Sequence, residues 1–375
     1  MAERSRLSEA KNYQRLKQGL SLGGLLWTPA LLAALVMTPL SRLMASAAES
    51  LVTGPYAVLA VYFLLLSLFF LFFDFPFAYL SGYVLEKRFH LTNQTPGAWL
   101  VFFAKRAVLS FLFSLGLLTA LYTLIWRAPD TWRLWAWAGY AFVSYAAGKL
   151  FPVWIVPLFY KYDRVADESL KQRILKLTSR FGLPVDQLYT LNLSKTTRKA
   201  NAAFMGMGRT RRVVLSDTLL ENFSAQEIEV VVAHELGHYK NRDILKQLTV
   251  GLAASFAAFA WAGFVFEETA RSGGYLGPGD PAAMPLLFLI FYVFGLLLTP
   301  LQSAFSRRLE RAADRFALEA VRCTESFVSC MEKLARQNLS DPDPHPLYEW
   351  FFYDHPAIAR RIQFARAWEA SRSGA

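Results

Sequence analysis

The sequence predicts an α-helical integral membrane protein with six transmembrane helices and a small α+β unit on the cytoplasmic side of the membrane. Three observations predict this fold class. Hydrophobic residues make up 54% of the 375 residues and charged residues only 18%, a composition too apolar for an ordinary soluble domain. Six apolar runs are long enough to cross a bilayer. Lysine and arginine are concentrated on one side of these runs.

A helix needs about 20 apolar residues to cross roughly 30 Å of hydrocarbon. The six runs cover residues 20–40, 56–73, 107–126, 134–160, 248–266 and 282–305, and residues 74–84 can extend the second helix. The fourth run is interrupted by Lys149 and two prolines. The apolar core of the first run is too long for a signal peptide, so we expect it to remain as a span.

The net charge of +11 is explained by membrane topology. With the N-terminus in the cytoplasm, 33 of the 40 Lys and Arg residues lie on the cytoplasmic side and four lie outside, and 15 of the 33 belong to residues 161–247. This asymmetry agrees with the positive-inside rule. We therefore expect both termini in the cytoplasm and no nucleic-acid partner.

The chain divides into four segments. We predict an N-terminal membrane domain of four spans (1–160), an α+β segment (161–247), two further spans (248–305) and a C-terminal helical tail (306–375). Within the α+β segment, the residue pattern predicts a helix over 167–180, a strand over 187–193 and a hairpin of 202–205 and 212–215 around the turn 206–211. A capping box at Ser224 predicts the start of the next helix.

That helix carries the sequence His-Glu-Leu-Gly-His at residues 234–238. On a helix, His234 and His238 lie one turn apart on the same face, which is the spacing that two ligands of a tetrahedral zinc ion require. Glu235 lies beside them and is positioned to take a proton from water. The alternative is a solvated helix face with two incidental histidines.

A catalytic zinc needs a third protein ligand and an open position. Glu310 is the candidate, because two spans separate it from His238 and so both residues lie at the same membrane surface. The alternative for Glu310 is a salt bridge with Arg307 or Arg311. Asp314 lies one helical turn further on, where it can orient a ligand imidazole. We expect one Zn²⁺ ion per chain.

The motifs together resemble those of the integral-membrane zinc endopeptidases of the type I CAAX prenyl protease family. The resemblance rests on residues 234–238, on Ser-Arg-Arg-Leu-Glu-Arg-Ala-Ala-Asp at 306–314, on Asn-Ala-Ala-Phe at 201–204, on 213–220, and on His355-Pro356 followed by Arg361. Residues 82–88 and 93–95 are similar to the family's connection between its second and third spans. The resemblance covers nearly the whole chain.

The resemblance implies tilted transmembrane helices around an intramembrane chamber that the zinc site faces. The family is usually drawn with seven spans, which leaves seven as an alternative to the six counted above. The family's zinc ligands and base correspond to the residues proposed above. In addition, the resemblance implies that Asn201 holds the substrate backbone and that His355 and Arg361 line the site.

His355 is expected to assist the reaction without binding the metal. Three ligands are already supplied, and a fourth would close the position that water needs. Pro356 would occupy the first helical position, which leaves the His355 side chain free to project. Its imidazole can then donate to the oxyanion that forms on the scissile carbonyl. The alternative is a structural histidine at the start of a helix.

The sequence therefore predicts a membrane-embedded zinc endopeptidase that cleaves peptide bonds near the cytoplasmic membrane face. Its partners would be membrane lipids and peptide or protein substrates, with lipidated C-termini as the family's conventional substrate class. An exposed hairpin strand such as 212–215 would bind extended substrate by strand addition. The location would be a bacterial inner membrane or the endoplasmic reticulum. The alternatives are a heat-shock quality-control metalloprotease and a non-hydrolytic metal-binding transporter or scaffold.

Overall fold

The computed structural model of the chain describes residues 2–182, 188–205 and 212–373. Within these residues, six helices are long and apolar enough to cross a membrane, which confirms the predicted number of spans. Large apolar side chains such as Leu26 (72%), Phe72 (75%) and Phe142 (72%) are exposed along them. Such extensive apolar exposure is expected for helices that are surrounded by lipid rather than water.

Four of the six spans lie in the first part of the chain. Its helices are α1 (Ala2–Met37), α2 (Leu40–Leu51), α3 (Pro55–Tyr79), α4 (Pro96–Arg127) and α5 (Trp132–Leu150). A π turn continues α3 as far as Arg88, which confirms the expected extension through residues 74–84. Because α1, α3 and α4 are longer than their apolar runs at one end, they project from the membrane on one side.

The α+β unit follows the fourth span. It consists of β1 (Tyr162–Arg164), α6 (Glu168–Ser179), β2 (Leu188–Leu191), β3 (Ala202–Met205), β4 (Arg212–Ser216), α7 (Asp217–Asn222) and α8 (Ala225–Lys240). The expected helix and strands are present, while β1 was not predicted. The turn expected at 206–211 lies outside the described residues, as does the first residue of the strand expected at 187–193.

The described strands form a sheet in the order β1-β2-β4-β3. β4 pairs in parallel with β2 and antiparallel with β3. The prediction that residues 212–215 would be an exposed strand is therefore wrong, because both edges of β4 are already paired. β1 and β3 are the two edge strands of the described sheet, and Asn201, the expected substrate-binding residue, immediately precedes β3.

The last part of the chain contains two spans and three shorter helices. These are α9 (Asp243–Ser272), α10 (Met284–Val321), α11 (Thr324–Asn338), α12 (Pro346–Phe352) and α13 (Ile358–Ser373). The C-terminal helical tail expected from residue 306 begins inside α10, which runs for 38 residues. A single rigid element therefore connects the sixth span to the residues around Glu310.

The α+β unit and the end of α10 share one hydrophobic core. Its fully buried members include Ile174, Leu215, Val230, Ala317 and Phe327, which come from α6, β4, α8, α10 and α11. Gly237 of α8 faces the backbone of α10, where a Cβ atom would lie 3.0 Å from Ala313 Cα. A side chain at this position would force the two helices apart, so Gly237 permits the close approach that the site requires.

Contacts on the projecting side of the spans bring distant parts of the chain together. Tyr13 of α1 donates a hydrogen bond to Glu86, which also forms a 2.8 Å ion pair with Lys199 just before β3. Gln14 of α1 donates to the carbonyl of Leu339. The start of α1, the end of the second span and the α+β unit therefore lie on the same side of the membrane.

Apolar cavities lie between the spans. A cavity of about 960 Å³ is lined by α1, α3 and α4 through residues such as Trp27, Phe72 and Phe103. A second cavity of about 500 Å³ lies between α3, α4 and Phe288 of α10. Neither of these two cavities is lined by the residues expected to bind zinc.

Candidate metal centre and active site

The two histidines of the expected motif lie in the second half of α8. The helix begins with the predicted capping box, in which the Ser224 side chain accepts the Glu227 N–H and the Glu227 carboxylate accepts the Ser224 N–H. Ten residues after the cap, His234 is buried, and His238 follows one turn later. The two rings are nearly perpendicular, and their Nε2 atoms lie 3.2 Å apart.

Glu310 of α10 meets both imidazoles. Its Oε2 atom lies 3.2 Å from His234 Nε2 and its Oε1 atom lies 3.2 Å from His238 Nε2. The described residues contain one group of this kind, with ligand atoms of all three residues within 4.8 Å of one another. Arg307, the alternative ion-pair partner, instead donates to the carbonyls of Glu349 and Tyr353.

An aspartate carboxylate accepts a hydrogen bond from the Nδ1 atom of each imidazole. His234 Nδ1 lies 2.9 Å from Asp314 Oδ1, and His238 Nδ1 lies 3.0 Å from Asp243 Oδ2. These bonds place the ring protons on Nδ1, so each Nε2 atom of a neutral ring presents a lone pair. When both rings are neutral, two nitrogen lone pairs and the Glu310 carboxylate therefore face one another. Such a set of acceptors fits a divalent metal ion.

The electrostatics favour a cation at the same point. Burial by itself lowers the pKa of His234, but hydrogen bonds to Asp314 and Glu310 outweigh it and raise the pKa to about 9. His238 follows the same pattern, since the hydrogen bond to Glu310 raises its pKa against the effect of burial. The carboxylates therefore create a field that stabilises positive charge between the two rings.

Asp314 is in turn held by Arg361 of α13. The Arg361 side chain is buried, and its Nη2 and Nε atoms lie 2.5 and 2.9 Å from the two carboxylate oxygens of Asp314. This bidentate pair keeps Asp314 charged and fixed against His234. Arg361 also borders the cavity beside the site. The closest contacts of Arg361 are with Asp314, so Arg361 supports the metal ligand His234 through Asp314.

Glu235 lies between the metal group and the edge strand. Its Oε2 atom accepts the N–H of Phe204 in β3 at 3.1 Å. A cavity of about 360 Å³ opens here and is lined by His234, Glu235 and Asn201, with Ala202 along one wall. The Asn201 side chain is exposed, and its backbone pairs with Ser216. The expected base and the expected substrate-binding residue therefore border the same cavity.

The free edge of β3 faces this cavity. The N–H of Ser216 donates to the carbonyl of Asn201, so Asn201 and Ser216 form a hydrogen-bonded pair of the ladder. Antiparallel strands alternate hydrogen-bonded with non-hydrogen-bonded pairs, so the backbone groups of Ala202 and Phe204 point away from β4. The Glu235 contact with Phe204 is direct evidence of this orientation.

His355 also lines this cavity. Its Nε2 atom is 3.3 Å from Glu310 Oε1, and its Nδ1 atom is 2.7 Å from Asp354 Oδ1. The side chain is 51% exposed, so it remains accessible from the cavity. Helix α13 begins at Ile358, two residues later than expected, and His355 belongs to the preceding loop. The expectation that Pro356 would occupy the first helical position is therefore wrong.

Sequence reasoning missed Asp243 and Asp354. Asp243 follows His238 by five residues and begins α9, where its carboxylate is 2% exposed. Its position at the start of a span, five residues after the second histidine, was visible in the sequence, whereas its burial was not. Asp354 immediately precedes His355, and nothing in the sequence distinguishes it from an exposed loop carboxylate.

Two family models match the chain. Residues 165–369 match the model described as peptidase family M48. Residues 2–161 match the model described as the N-terminal region of CAAX prenyl proteases, with five membrane helices. In this chain the described part of that region contains four spans and α2, whose 12 residues are too few to cross a membrane.

Relatives match over most of the chain. The uncharacterized metalloprotease YhfN of Bacillus subtilis is 33% identical over 296 residues, which cover 76% of this chain and 68% of the relative. CAAX prenyl protease 1 of Saccharomyces cerevisiae is 29% identical over 309 residues, covering 77% and 68%. The crystal structure of Ste24p from S. mikatae shares the fold, with a TM-score of 0.86 at 24% identity over 96% of this chain and 89% of that one.

Proposed function

The chain belongs to peptidase family M48 as a membrane metalloprotease of the CAAX prenyl protease type, and from this premise we propose that it is a zinc endopeptidase acting at the cavity beside β3. The observation that carries the proposal is the convergence of His234, His238 and Glu310 next to Glu235. The metalloprotease family excludes the alternative of a non-hydrolytic transporter or scaffold. The match of residues 2–161 favours the CAAX type over a heat-shock protease.

His234, His238 and Glu310 would hold the zinc ion. Two imidazole nitrogens and one carboxylate oxygen are a ligand set that catalytic zinc sites use. When bound, the ion supplies Lewis acidity toward the scissile carbonyl and lowers the pKa of water at the site. Asp314 and Asp243 keep the two rings in the required tautomer, and Arg361 holds Asp314 in place.

Glu235 would act as the base. Its Oε2 atom is anchored by the Phe204 N–H, which fixes the carboxylate between β3 and the metal ligands. From this position it can take the proton of the attacking water and later deliver it to the leaving amine. His355, which also lines the cavity, would donate from Nε2 as an imidazolium, with its Nδ1 proton held by Asp354, to the oxyanion that forms on the scissile carbonyl.

Substrate would bind as an extended strand along β3. The backbone groups of Ala202 face the cavity, and the Asn201 side chain lies at its border. Pairing with an edge strand supplies main-chain hydrogen bonds without selecting for side chains. A short segment of about three residues is enough to pass from Asn201 to Glu235 along this edge.

The substrate class would be peptides or proteins with a lipidated C-terminus. Two features support this class: the CAAX prenyl protease names of the relatives and the apolar cavities between the spans. The zinc site would face the cytoplasm, because 33 of the 40 Lys and Arg residues lie on its side of the membrane. The membrane would be a bacterial inner membrane or the endoplasmic reticulum.

The test uses purified protein in liposomes and a peptide ending in a CAAX sequence, with and without a farnesyl group on its cysteine. Mass spectrometry identifies the products. We expect the wild-type protein to cleave the farnesylated peptide faster and Glu235→Gln to cleave neither. Equal cleavage of both peptides would overturn the lipidated substrate class while leaving the protease intact. Equal cleavage by wild type and Glu235→Gln would overturn the assigned base.

A further inference from the structure

The backbone of residues 198–200, which leads into the edge strand β3, is hydrogen-bonded by three side chains from other parts of the chain. The carbonyls of Arg198, Lys199 and Ala200 are three successive backbone acceptors immediately before Asn201. They accept hydrogen bonds from Gln337 (2.8 Å), Thr218 (2.8 Å) and Asn338 (3.2 Å), respectively. No sheet partner is needed to satisfy these groups, because each has its own side-chain donor.

Asn338 makes the closest of these attachments to the substrate edge. Its Oδ1 atom accepts the Ala200 N–H at 2.9 Å, while its Nδ2 atom donates to the Ala200 carbonyl. One amide side chain therefore pairs with both backbone groups of one residue, as a neighbouring strand would. Asn338 also borders the cavity beside the metal ligands.

The position of Asn338 is itself fixed. It is the last residue of α11, and Leu339 ends the helix in the left-handed conformation with φ of 48°. The Leu339 carbonyl accepts a 2.7 Å hydrogen bond from Gln14 of α1. On the other side, Lys199 is paired with Glu86 at the end of the second span. The start of the edge strand is thus held between the C-terminal helices and the membrane domain.

Building on the proposed function, we propose that Asn338 is a positioning residue that sets the register of the substrate-binding edge relative to Glu235. Ala200 is only 5% exposed, so without Asn338 its N–H and carbonyl would be left buried and unpaired. The segment would have to move to find other partners. Asn201 and Ala202 would move with it, while the metal ligands on α8 and α10 would stay in place.

This role predicts a selective loss of binding. The affinity of a ligand that contacts only the metal ion does not depend on the edge strand. The affinity of a ligand that also pairs with β3 depends on the position of that strand. Acetohydroxamic acid is a probe of the first kind. A hydroxamate joined to a Leu–Ala dipeptide is a probe of the second kind, because its backbone carries the donors and acceptors that pair with an edge strand.

The experiment measures dissociation constants of both probes by calorimetry on the purified full-length zinc-loaded protein. For Asn338→Ala we expect about tenfold weaker binding of the dipeptide hydroxamate, the value of one or two hydrogen bonds. Binding of acetohydroxamic acid and the zinc content are expected to be unchanged. Asn338→Asp keeps the acceptor for the Ala200 N–H but turns an oxygen toward the Ala200 carbonyl, so it is expected not to restore binding.

Asn222→Ala is the matched control. Asn222 is exposed, and its side chain donates to the Thr218 carbonyl one turn earlier in the same helix. It should bind both probes as the wild-type protein does. Unchanged binding of the dipeptide hydroxamate to Asn338→Ala would overturn the proposal, and so would equal weakening of both probes or loss of zinc. If the wild-type protein binds neither probe, the proposed metal centre itself is wrong.

Discussion

Three histidines of the site share one arrangement. His234, His238 and His355 each have an aspartate within 3.0 Å of Nδ1, and each turns Nε2 toward Glu310 at 3.2–3.3 Å. A carboxylate at Nδ1 fixes the ring orientation and makes Nε2 a better ligand or hydrogen-bonding atom. The direction of each ring is thus determined by the aspartate at its Nδ1 atom.

The first prediction concerns Asp243. We expect Asp243→Ala to bind zinc about 10–100-fold more weakly, because the His238 ring loses the partner that fixes its tautomer. Affinity is measured by competition with a chromophoric chelator. Asp130→Ala, at an exposed position of the loop before α5, is the control and should match the wild-type protein. Unaltered zinc affinity of Asp243→Ala would show that the His238 contact is incidental.

The second prediction concerns His355. We expect His355→Ala to retain its zinc and to lose turnover by about 10²–10³-fold, the usual effect of removing one oxyanion donor. Metal content and hydrolysis are measured on the same preparation. The control is His345→Ala, since His345 is exposed and its Nδ1 accepts the Leu347 N–H at the start of α12. Zinc loss would make His355 a ligand, and unchanged turnover would make it a packing residue.

The sequence identified the ligand candidates and Asp314, but not Asp243 or the ion pair that holds Asp314. His234 and His238 were predictable because helical spacing alone places them on one face. Glu310 was predictable because two spans return the chain to the same membrane surface. The contact of Arg361 with Asp314 joins residues 47 positions apart, and local sequence carries no signal for such a pair.

At the scale of elements, α8 is held by an acidic residue near its start. Glu227 closes the capping box and also receives hydrogen bonds from Lys333 and Ser329 of α11. Burial raises the pKa of this carboxyl, but the hydrogen bonds outweigh that effect and lower the pKa to about 2. The charge of Glu227 therefore links α8 to α11.

The third prediction follows from this link. The pKa of Glu227 in the folded protein lies below its ordinary value of 4.5, so its stabilising effect is present above pH 4.5 and is lost as the pH falls toward 2. We expect Glu227→Gln to destabilise the protein by roughly 2 kcal/mol at pH 7. The difference in Tm from the wild-type protein should shrink progressively between pH 4.5 and pH 3.

Thermal unfolding in detergent across this pH range is the measurement. Glu221→Gln, at an exposed position of α7, is the matched control and should show little difference from the wild-type protein at any pH. A Tm difference for Glu227→Gln that is as large at pH 3 as at pH 7 would contradict the assigned role of the charge.

Helices and strands that neighbouring residues specify could be predicted from the sequence, but the pairing between strands could not. The capping box at Ser224 and the helix over 167–180 follow from neighbouring residues. The position of β4 in the centre of the sheet depends on its parallel pairing with β2, which is separated from it by β3 in the chain. Strand order is a long-range property, which explains why 212–215 was mistaken for an exposed strand.

At the scale of the whole molecule, contacts between residues far apart in sequence show which parts of the chain lie on the same side of the membrane. The α1 contacts with Glu86 and Leu339 place the N-terminal region beside the α+β unit and the C-terminal helices. Even numbers of spans separate these regions, in agreement with the six spans. Hydropathy predicted the number of spans, whereas their mutual contacts required the structure.

The fourth prediction concerns orientation. We expect Asp163, an exposed residue of β1, to face the cytoplasm, because the basic residues are concentrated on its side. The probe is Asp163→Cys in a background in which Cys323 and Cys330 are replaced by Ser. An impermeant thiol reagent should label it in permeabilised but not in intact cells. Labelling in intact cells would reverse the orientation of the entire protein.

In the proposed mechanism, His234, His238 and Glu310 bind the zinc ion, whereas Glu235 transfers the proton and does not bind it. Zinc content and peptide hydrolysis of purified Glu235→Gln, measured on one preparation beside the wild-type protein and Glu310→Ala, test this separation most directly. We predict about one zinc ion per chain and no hydrolysis for Glu235→Gln, and neither zinc nor hydrolysis for Glu310→Ala. Hydrolysis by Glu235→Gln at the wild-type rate, or full zinc in Glu310→Ala, would contradict the account.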